Sequence, residues 1–102
     1  MIILRGVNLF PTQVEELILR TPGLAPHFQL VLSRPGRLDE LTVRVEARRD
    51  AGAREERARA EQALGRLVKE NLGVTIEVDV VEPEAIERSQ GKAQRVLDLR
   101  ST

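Results

Sequence analysis

Residues 41–48 place the strongest constraint on the fold, because apolar and polar residues alternate there without a break. The apolar positions are Leu41, Val43, Val45 and Ala47, and the polar positions are Thr42, Arg44, Glu46 and Arg48. Successive side chains of a β-strand point to opposite faces of a sheet. This segment therefore predicts a strand with one buried face and one face in water. A sheet built from such strands needs helices to cover its apolar face.

Two further segments show the same alternation. Their apolar positions are Phe28, Leu30 and Leu32 in residues 28–33, and Val74, Ile76, Val78 and Val80 in residues 74–81. The short connection that contains Pro35 and Gly36 predicts an antiparallel hairpin between residues 28–33 and 41–48. We expect the polar side chains of the sheet to face water, namely Thr42, Arg44, Glu46, Thr75, Glu77 and Asp79.

Two segments have helical periodicity instead. Residues 11–20 begin at Pro11, whose missing N–H is harmless in the first turn of a helix, and a Thr-Pro-Gly sequence follows them. Residues 54–72 are nearly all good helix formers, and Gly73 ends the segment. The apolar stripes are Val14, Leu17 and Ile18 in the first helix, and Ala60, Leu64, Leu67, Val68 and Leu72 in the second. Each stripe suits a helix that packs on one face of a sheet.

With residues 1–4 as a short first strand, the element order is (β)αββαβ. We predict an α+β fold, a two-layer ferredoxin-like sandwich with three main antiparallel strands and two helices on one face. The chain has 102 residues and no long linker, so residues 1–102 are expected to form a single domain. The apolar residues of segment 96–99 predict either an edge strand or a turn of helix in the tail.

Composition argues against several classes of function. Sixteen acidic and sixteen basic residues balance, so no net charge favours nucleic acid or an anionic membrane. The chain has two aromatic residues, no cysteine and a single histidine, His27, which excludes base-stacking platforms, cysteine chemistry and multi-histidine metal sites. No apolar run approaches the length that spans a bilayer, and Arg5 interrupts the apolar start. A cytoplasmic protein without nucleic-acid, membrane or metal partners is expected.

The polar segment Ser89–Arg95 offers the clearest candidate for chemistry. Lys92 is one of only two lysines, against fourteen arginines, and a compact ammonium differs from a guanidinium in what it can do. A P-loop is excluded, because Ile86 stands at the position of its first glycine and Ala93 replaces the Ser or Thr that binds magnesium. A hydrogen-bonded structural role is favoured over a general base for His27, since spacing places no serine or acid beside it. From the residues alone, a solvated lysine is the simpler interpretation of Lys92.

A second loop also combines a glycine with a cation. Gly6 and Asn8 tolerate unusual backbone angles, so Arg5-Gly6-Val7-Asn8 is predicted to be a turn or an exposed loop. The two loops, near opposite ends of the chain, suit either a partner or an anionic ligand, or they are simply solvated. From the residues alone, two solvated loops are the simpler interpretation.

A family resemblance favours a functional interpretation of the two loops over simple solvation. The run Met1-Ile-Ile-Leu-Arg-Gly-Val-Asn-Leu-Phe-Pro-Thr-Gln-Val-Glu-Glu16 resembles the start of the C-terminal domain of phenylacetate–CoA ligases, in the AMP-forming acyl-CoA ligase and adenylation superfamily. The likeness continues through residues 26–29, 38–43 and 88–96, and so covers essentially the whole chain.

The resemblance implies specific roles. Lys92 would be the catalytic lysine of adenylation, on a loop supported by Ser89 and Gly91, and Arg5 and Gly6 would face CoA during thioester formation. The complete enzyme would use ATP, magnesium and CoA, none of them bound by this chain alone, and would need a large N-terminal domain in cis or in trans. The alternative is a stand-alone ferredoxin-like binding or regulatory module without catalysis.

Overall fold

The computed structural model describes residues 2–86 and 96–100 of the chain. Its strands and helices are β1 Ile2–Leu4, β2 Val7–Leu9, α1 Pro11–Leu19, β3 Leu24–Ser33, β4 Glu40–Ala47, α2 Arg54–Leu72, β5 Glu77–Val81 and β6 Val96–Asp98. Strands β1 and β2 form a small antiparallel hairpin, and the other four form one sheet in the order β5-β4-β3-β6. The two predicted helices and the α+β class are confirmed.

The direction of one strand differs from the prediction. Strands β3 and β4 are antiparallel as expected, with Leu30 opposite Val43. Strand β5 is parallel to β4, with Val43 beside Val78, so the prediction of three antiparallel strands was wrong for β5. The reason is the connection, because α2 carries the chain back along the sheet and the next strand starts at the same end as β4. The sheet is therefore mixed, and β6 adds a second parallel pair beside β3.

The predicted apolar stripes form the core. The buried helix residues are Val14, Leu17 and Ile18 of α1, and Ala60, Leu64 and Val68 of α2. They belong to one cluster with the inward strand residues, which include Leu30, Leu32, Val43, Val45, Val78 and Val80. Each buried aliphatic side chain contributes about 1.5–3 kcal/mol relative to exposure, so this layer holds the two helices on the sheet.

Several element boundaries differ from the predicted ones. Val7 and Asn8, expected in a loop, belong to β2, in which Asn8 pairs with Ile3. The first strand of the main sheet begins at Leu24 rather than at residue 28, with an irregular register between Leu24 and Phe28. The third begins at Glu77 rather than at residue 74. Of the two alternatives for segment 96–99, the edge strand is correct, since β6 lies at the sheet edge.

Candidate functional site

Arg5 and Gly6 form the tip of the β1–β2 hairpin. Both have left-handed backbone angles, with φ of 48° at Arg5 and 84° at Gly6. Two consecutive residues with positive φ are typical of the tight turns that suit the twist of a hairpin. A Cβ on Gly6 would meet no atom within 4 Å, so glycine is needed there for its backbone conformation rather than for space. The tip is an exposed, well-defined turn.

The Arg5 side chain connects this tip to the loop between α2 and β5. Its Nη2 donates a hydrogen bond to the backbone oxygen of Thr75 at 2.5 Å. The hydroxyl of Thr75 in turn accepts a hydrogen bond from Lys69 Nζ at 3.3 Å. Arg5 also lines a shallow cavity of about 290 Å³ with Arg34 and Arg37 from the β3–β4 turn. Three arginines therefore line one exposed depression beside the hairpin tip, together with Asp39, which forms an ion pair with Arg34.

The predicted catalytic Lys92, with Ser89 and Gly91, lies outside the described residues. The structure does describe both flanks of their segment. On the N-terminal side, residues 82–86 follow β5 as a turn, in which the Ala85 N–H donates to the Glu82 oxygen at 3.1 Å. On the C-terminal side, Val96 begins β6 beside Leu30 of β3. The ends of the Lys92 segment are thus attached to the main sheet.

Glu46 of β4 holds the turn 82–86. One carboxylate oxygen accepts the N–H of Glu84 at 2.8 Å, and the other accepts the N–H of Ile86 at 3.2 Å. The Glu46 side chain was expected to face water, and that expectation was wrong, since the residue is only 1% exposed. The strand alternation gives the correct side of the sheet, but it gives no sign that the turn after β5 covers this one position.

A second contact from the same end of β4 supports the turn. The guanidinium of Arg49, just after β4, donates to the carboxylate of Glu84. Glu84 itself has φ of 67°, a left-handed conformation that is uncommon outside glycine, asparagine and aspartate. A cleft of about 460 Å³ lies beside these residues and is also lined by His27 of β3 and by Pro83. His27 is exposed on β3 rather than buried in the core.

Arg100 anchors the C-terminal flank. Its Nη2 and Nε donate to the two carboxylate oxygens of Asp98, and its Nη1 donates to Asp39 at 2.8 Å. Asp39 also accepts a hydrogen bond from Arg34 Nε at 2.6 Å. The N–H of Leu99 donates to the backbone oxygen of Leu32 at 2.7 Å, which extends the attachment to β3. The network joins the end of β6 to the β3–β4 turn.

The charges of this network stabilise one another. Hydrogen bonds from Arg100 are the main cause that lowers the pKa of Asp98 from its usual value of 3.8 to about 2. The pKa of Asp39 is lowered by hydrogen bonds from Arg34 and then Arg100. The two carboxylates, Asp98 first, raise the pKa of Arg100 further above its already high value. All three groups are therefore charged at neutral pH.

We expect acid to weaken this anchor. A lowered pKa in the folded state gives stability that is complete above the unfolded value of 3.8 and is lost as pH falls toward about 2. Asp98→Asn is therefore expected to lower the free energy of unfolding at neutral pH, with the difference from wild type vanishing toward pH 2. Urea unfolding of the chain between neutral pH and about pH 2 measures this difference.

As a control, Glu77→Gln removes an exposed carboxylate of β5 and should change stability by less than about 0.5 kcal/mol. A difference for Asp98→Asn that is unchanged by pH would contradict the assignment.

The structure separates the hairpin tip from the turn 82–86. Arg5 contacts Thr75, just before β5, whereas Glu46 lies opposite Val81 at the end of β5. Five residues of strand, at about 3.3 Å each, span roughly 15 Å. The hairpin tip and the N-terminal base of the Lys92 segment are therefore attached at opposite ends of β5, and Arg5 and Gly6 do not form one compact site with that base. The C-terminal flank of the segment instead reaches Asp39 through Arg100, and Asp39 lines the same cavity as Arg5.

Two classes of site have no support among the described residues. Residues 2–86 and 96–100 contain no group of three or more histidine and acidic side chains placed to hold a metal ion. Within that same part of the chain, neither helix is long and apolar enough to cross a membrane.

The family described as "AMP-binding enzyme C-terminal domain" matches residues 6–100 of this chain. Among curated proteins, the "Phenylacetate-coenzyme A ligase" of Aromatoleum evansii is 47% identical over 98% of this chain, and the protein of the same name from Escherichia coli is 42% identical over 99%. In both cases the match covers only 24% of the relative, so the chain spans about a quarter of the length of these ligases.

Solved structures show the same fold. A crystal structure of "a domain of phenylacetate-coenzyme A ligase" from Bacteroides vulgatus superimposes with a TM-score of 0.88 and 36% identity, covering 100% of this chain and 94% of that one. The 2-hydroxyisobutyryl-CoA ligase in complex with 2-HIB-AMP and CoA, in the thioesterification state, gives a TM-score of 0.83 and 29% identity over 95% of this chain and 20% of that one. The first of these matches is to a domain solved as a separate chain.

Proposed function

Since the chain belongs to the family of C-terminal domains of AMP-binding enzymes, we propose that it is the lid domain of a phenylacetate–CoA ligase-like enzyme. The complete enzyme would convert ATP, an aryl or acyl carboxylate and CoA into acyl-CoA, AMP and pyrophosphate. The observation that carries the proposal is a family match over nearly the whole chain, together with the same fold in a ligase domain. Because the chain is about a quarter of its relatives' length, the active site is completed by a large N-terminal domain.

Lys92 is assigned to the first half-reaction, adenylation. There the substrate carboxylate attacks the α-phosphate of ATP, the bond to the β-phosphate breaks, and pyrophosphate leaves. An ammonium placed against the carboxylate and phosphate oxygens stabilises the charge that develops in this step. Ser89 and Gly91 belong to the same short segment and would shape it around the lysine. The assignment is supported by the anchored flanks of that segment, the turn 82–86 and strand β6.

Arg5 and Gly6 are assigned to the second half-reaction. There the CoA thiol attacks the carbonyl of the acyl adenylate, a thioester forms, and AMP leaves. A glycine at the hairpin tip leaves room for the pantetheine arm, since nothing lies within 4 Å of its Cβ position. Arg5 and Arg37 line a cavity beside the tip and would suit the phosphates of CoA, whereas Arg34 in the same cavity is paired with Asp39.

The separation of the hairpin tip from the turn 82–86 supports the use of the two loops in alternation. A lid that offers one end of its sheet for adenylation and the other for thioester formation must reorient between the steps. The similar fold of a ligase solved with an acyl adenylate and CoA, in the thioesterification state, is consistent with this use of the domain.

A chimeric ligase tests the proposed function, and we define it as the Aromatoleum evansii relative with its matching C-terminal part replaced by this chain. We expect it to form phenylacetyl-CoA from phenylacetate, ATP and CoA, whereas the truncated relative and this chain alone form none. An inactive but folded chimera would favour the stand-alone binding or regulatory module. Turnover by the isolated chain would also contradict the account, because it would place a complete active site within these residues.

Gly6→Val in the chimeric ligase is expected to slow the second half-reaction selectively. A β-branched residue is strained at φ of 84°, and its methyl groups would occupy the space assigned to the pantetheine arm. We expect thioester formation from a preformed acyl adenylate to fall about tenfold or more, with pyrophosphate exchange within about twofold of wild type. The matched control is Gly52→Val, between β4 and α2, because Gly52 has φ of −84° and a Cβ there would meet no atom closer than 4.0 Å. Equal losses in both half-reactions of Gly6→Val would contradict the assignment.

A further inference from the structure

Glu46 is a buried acidic residue whose burial the packing of the sheet does not explain. Its neighbours on the same face of β4, Thr42 and Arg44, remain partly exposed, whereas Glu46 is 1% exposed. Burying a carboxyl group is unfavourable unless hydrogen bonds or opposite charges compensate for the lost contact with water. An apolar residue would pack at this position without that cost. The burial of this side chain must therefore be explained by the groups that its carboxylate binds.

The ligand of this carboxylate is the backbone of the turn 82–86. The two carboxylate oxygens of Glu46 accept the N–H groups of Glu84 and Ile86, and Glu84, in the middle of the turn, has a left-handed conformation. Closely spaced backbone amides of this kind form an anion-binding concavity. A left-handed conformation is strained for a residue other than glycine and persists only where its surroundings hold it. Here the surroundings are the Glu46 carboxylate and the ion pair between Arg49 and Glu84.

This turn is the last described structure before the segment that carries Lys92. Ile86 is 8% exposed, so both its amide and its side chain are fixed against the domain. We infer that Glu46 is a positioning residue for adenylation, which fixes the N-terminal base of the Lys92 segment without touching substrate. The inference rests on the proposed role of Lys92, and it adds a residue to which neither the family match nor the sequence pattern assigns a role.

The expected consequence is selective. A catalytic group that is displaced by about 1 Å loses on the order of a hundredfold in rate, so a loosened base slows the step that depends on Lys92. The hairpin tip, at the other end of β5, is held by Arg5 and Thr75 and does not depend on Glu46. A defect at Glu46 should therefore appear in adenylation and not in thioester formation. If Glu46 had a merely structural role, its substitution would lower the rates of both half-reactions.

Glu46→Gln in the chimeric ligase tests the inference. The amide of glutamine can accept one of the two N–H groups but presents its own donor to the other. We expect pyrophosphate exchange to fall about tenfold or more, while thioester formation from a preformed acyl adenylate stays within about twofold of wild type. Glu77→Gln, which removes an exposed carboxylate from the same sheet face, should leave both half-reactions within about twofold.

A second variant keeps the inference testable if Glu46→Gln fails to fold. Glu46→Asp keeps the charge but withdraws it by one methylene, and it should lower exchange by a smaller factor with the same selectivity. If Glu46→Gln does not fold, judged by its thermal melting, Glu46→Asp decides by the same criterion. Equal effects on both half-reactions, or none on either, would overturn the inference. The proposed function is judged separately by Lys92→Ala. If Lys92→Ala loses pyrophosphate exchange and the Glu46 variants do not, the proposed function stands and only the role of Glu46 is refuted.

Discussion

Lys92→Ala in the chimeric ligase should lower pyrophosphate exchange by about 10²–10³-fold. This is the size of effect seen when one preorganised group that stabilises transition-state charge is removed from an active site. The lost ammonium would leave the charge on the attacking carboxylate and the α-phosphate without its counter-charge. Exchange of labelled pyrophosphate into ATP measures this step without CoA.

The second half-reaction provides the internal control. Thioester formation from a preformed acyl adenylate should stay within about twofold of wild type, because Lys92 is assigned no part in it. Lys69→Ala removes the only other lysine of the chain, which contacts Thr75 beside the hairpin tip. It should leave pyrophosphate exchange unchanged. If Lys92→Ala lowered both half-reactions equally, the domain would be misfolded or Lys92 would have another role.

Leu64→Ala should cause the largest loss of stability. Leu64 is fully buried in the middle of α2, within the cluster that joins both helices to the sheet. Truncating a buried leucine to alanine typically costs about 2–5 kcal/mol, through lost burial and the cavity left behind. Urea unfolding of the isolated chain measures the change, and the related ligase domain solved as a separate chain supports this choice.

The adjacent glycine gives a control of opposite sign. Gly65 lies on the same helix, and a Cβ added there would meet no atom within 4 Å. Gly65→Ala should therefore raise the free energy of unfolding by about 0.5–1 kcal/mol, because alanine loses less backbone entropy in a helix. A loss of less than about 1 kcal/mol for Leu64→Ala would contradict the packing of α2 against the sheet.

Local periodicity was sufficient to predict the two helices and the hairpin. The stripe of Val14, Leu17 and Ile18 and the alternation that starts at Leu41 both correspond to buried faces in the structure. These predictions were correct because burial of one face depends on local sequence. Apolar residues then repeat every two positions in a strand and every three to four positions in a helix. Strand direction is not local, and for this reason the parallel pairing of β5 with β4 was missed.

The candidate site was less accessible to reasoning from sequence. Arg5 and Gly6 were expected in a turn, and they form the tip of the β1–β2 hairpin. Lys92 acquires a role only through the family, since nothing in its own segment distinguishes it from a solvated lysine. Glu46 was placed on the water-facing side because its neighbours alternate, and only the path of the chain after β5 shows that residue 46 is covered. A contact between residues nearly forty positions apart has no signature in a single sequence.

The most direct test of the central claim is pyrophosphate exchange by the truncated Aromatoleum evansii ligase, with and without this chain fused at its C-terminus. The claim is that this domain supplies the adenylation lysine to a site completed by a large partner domain. We expect the truncated ligase to exchange little or no pyrophosphate and the fusion to restore exchange, which is lost again with Lys92→Ala. A folded fusion that exchanges no faster than the truncated ligase, or an exchange unaffected by Lys92→Ala, would contradict the account.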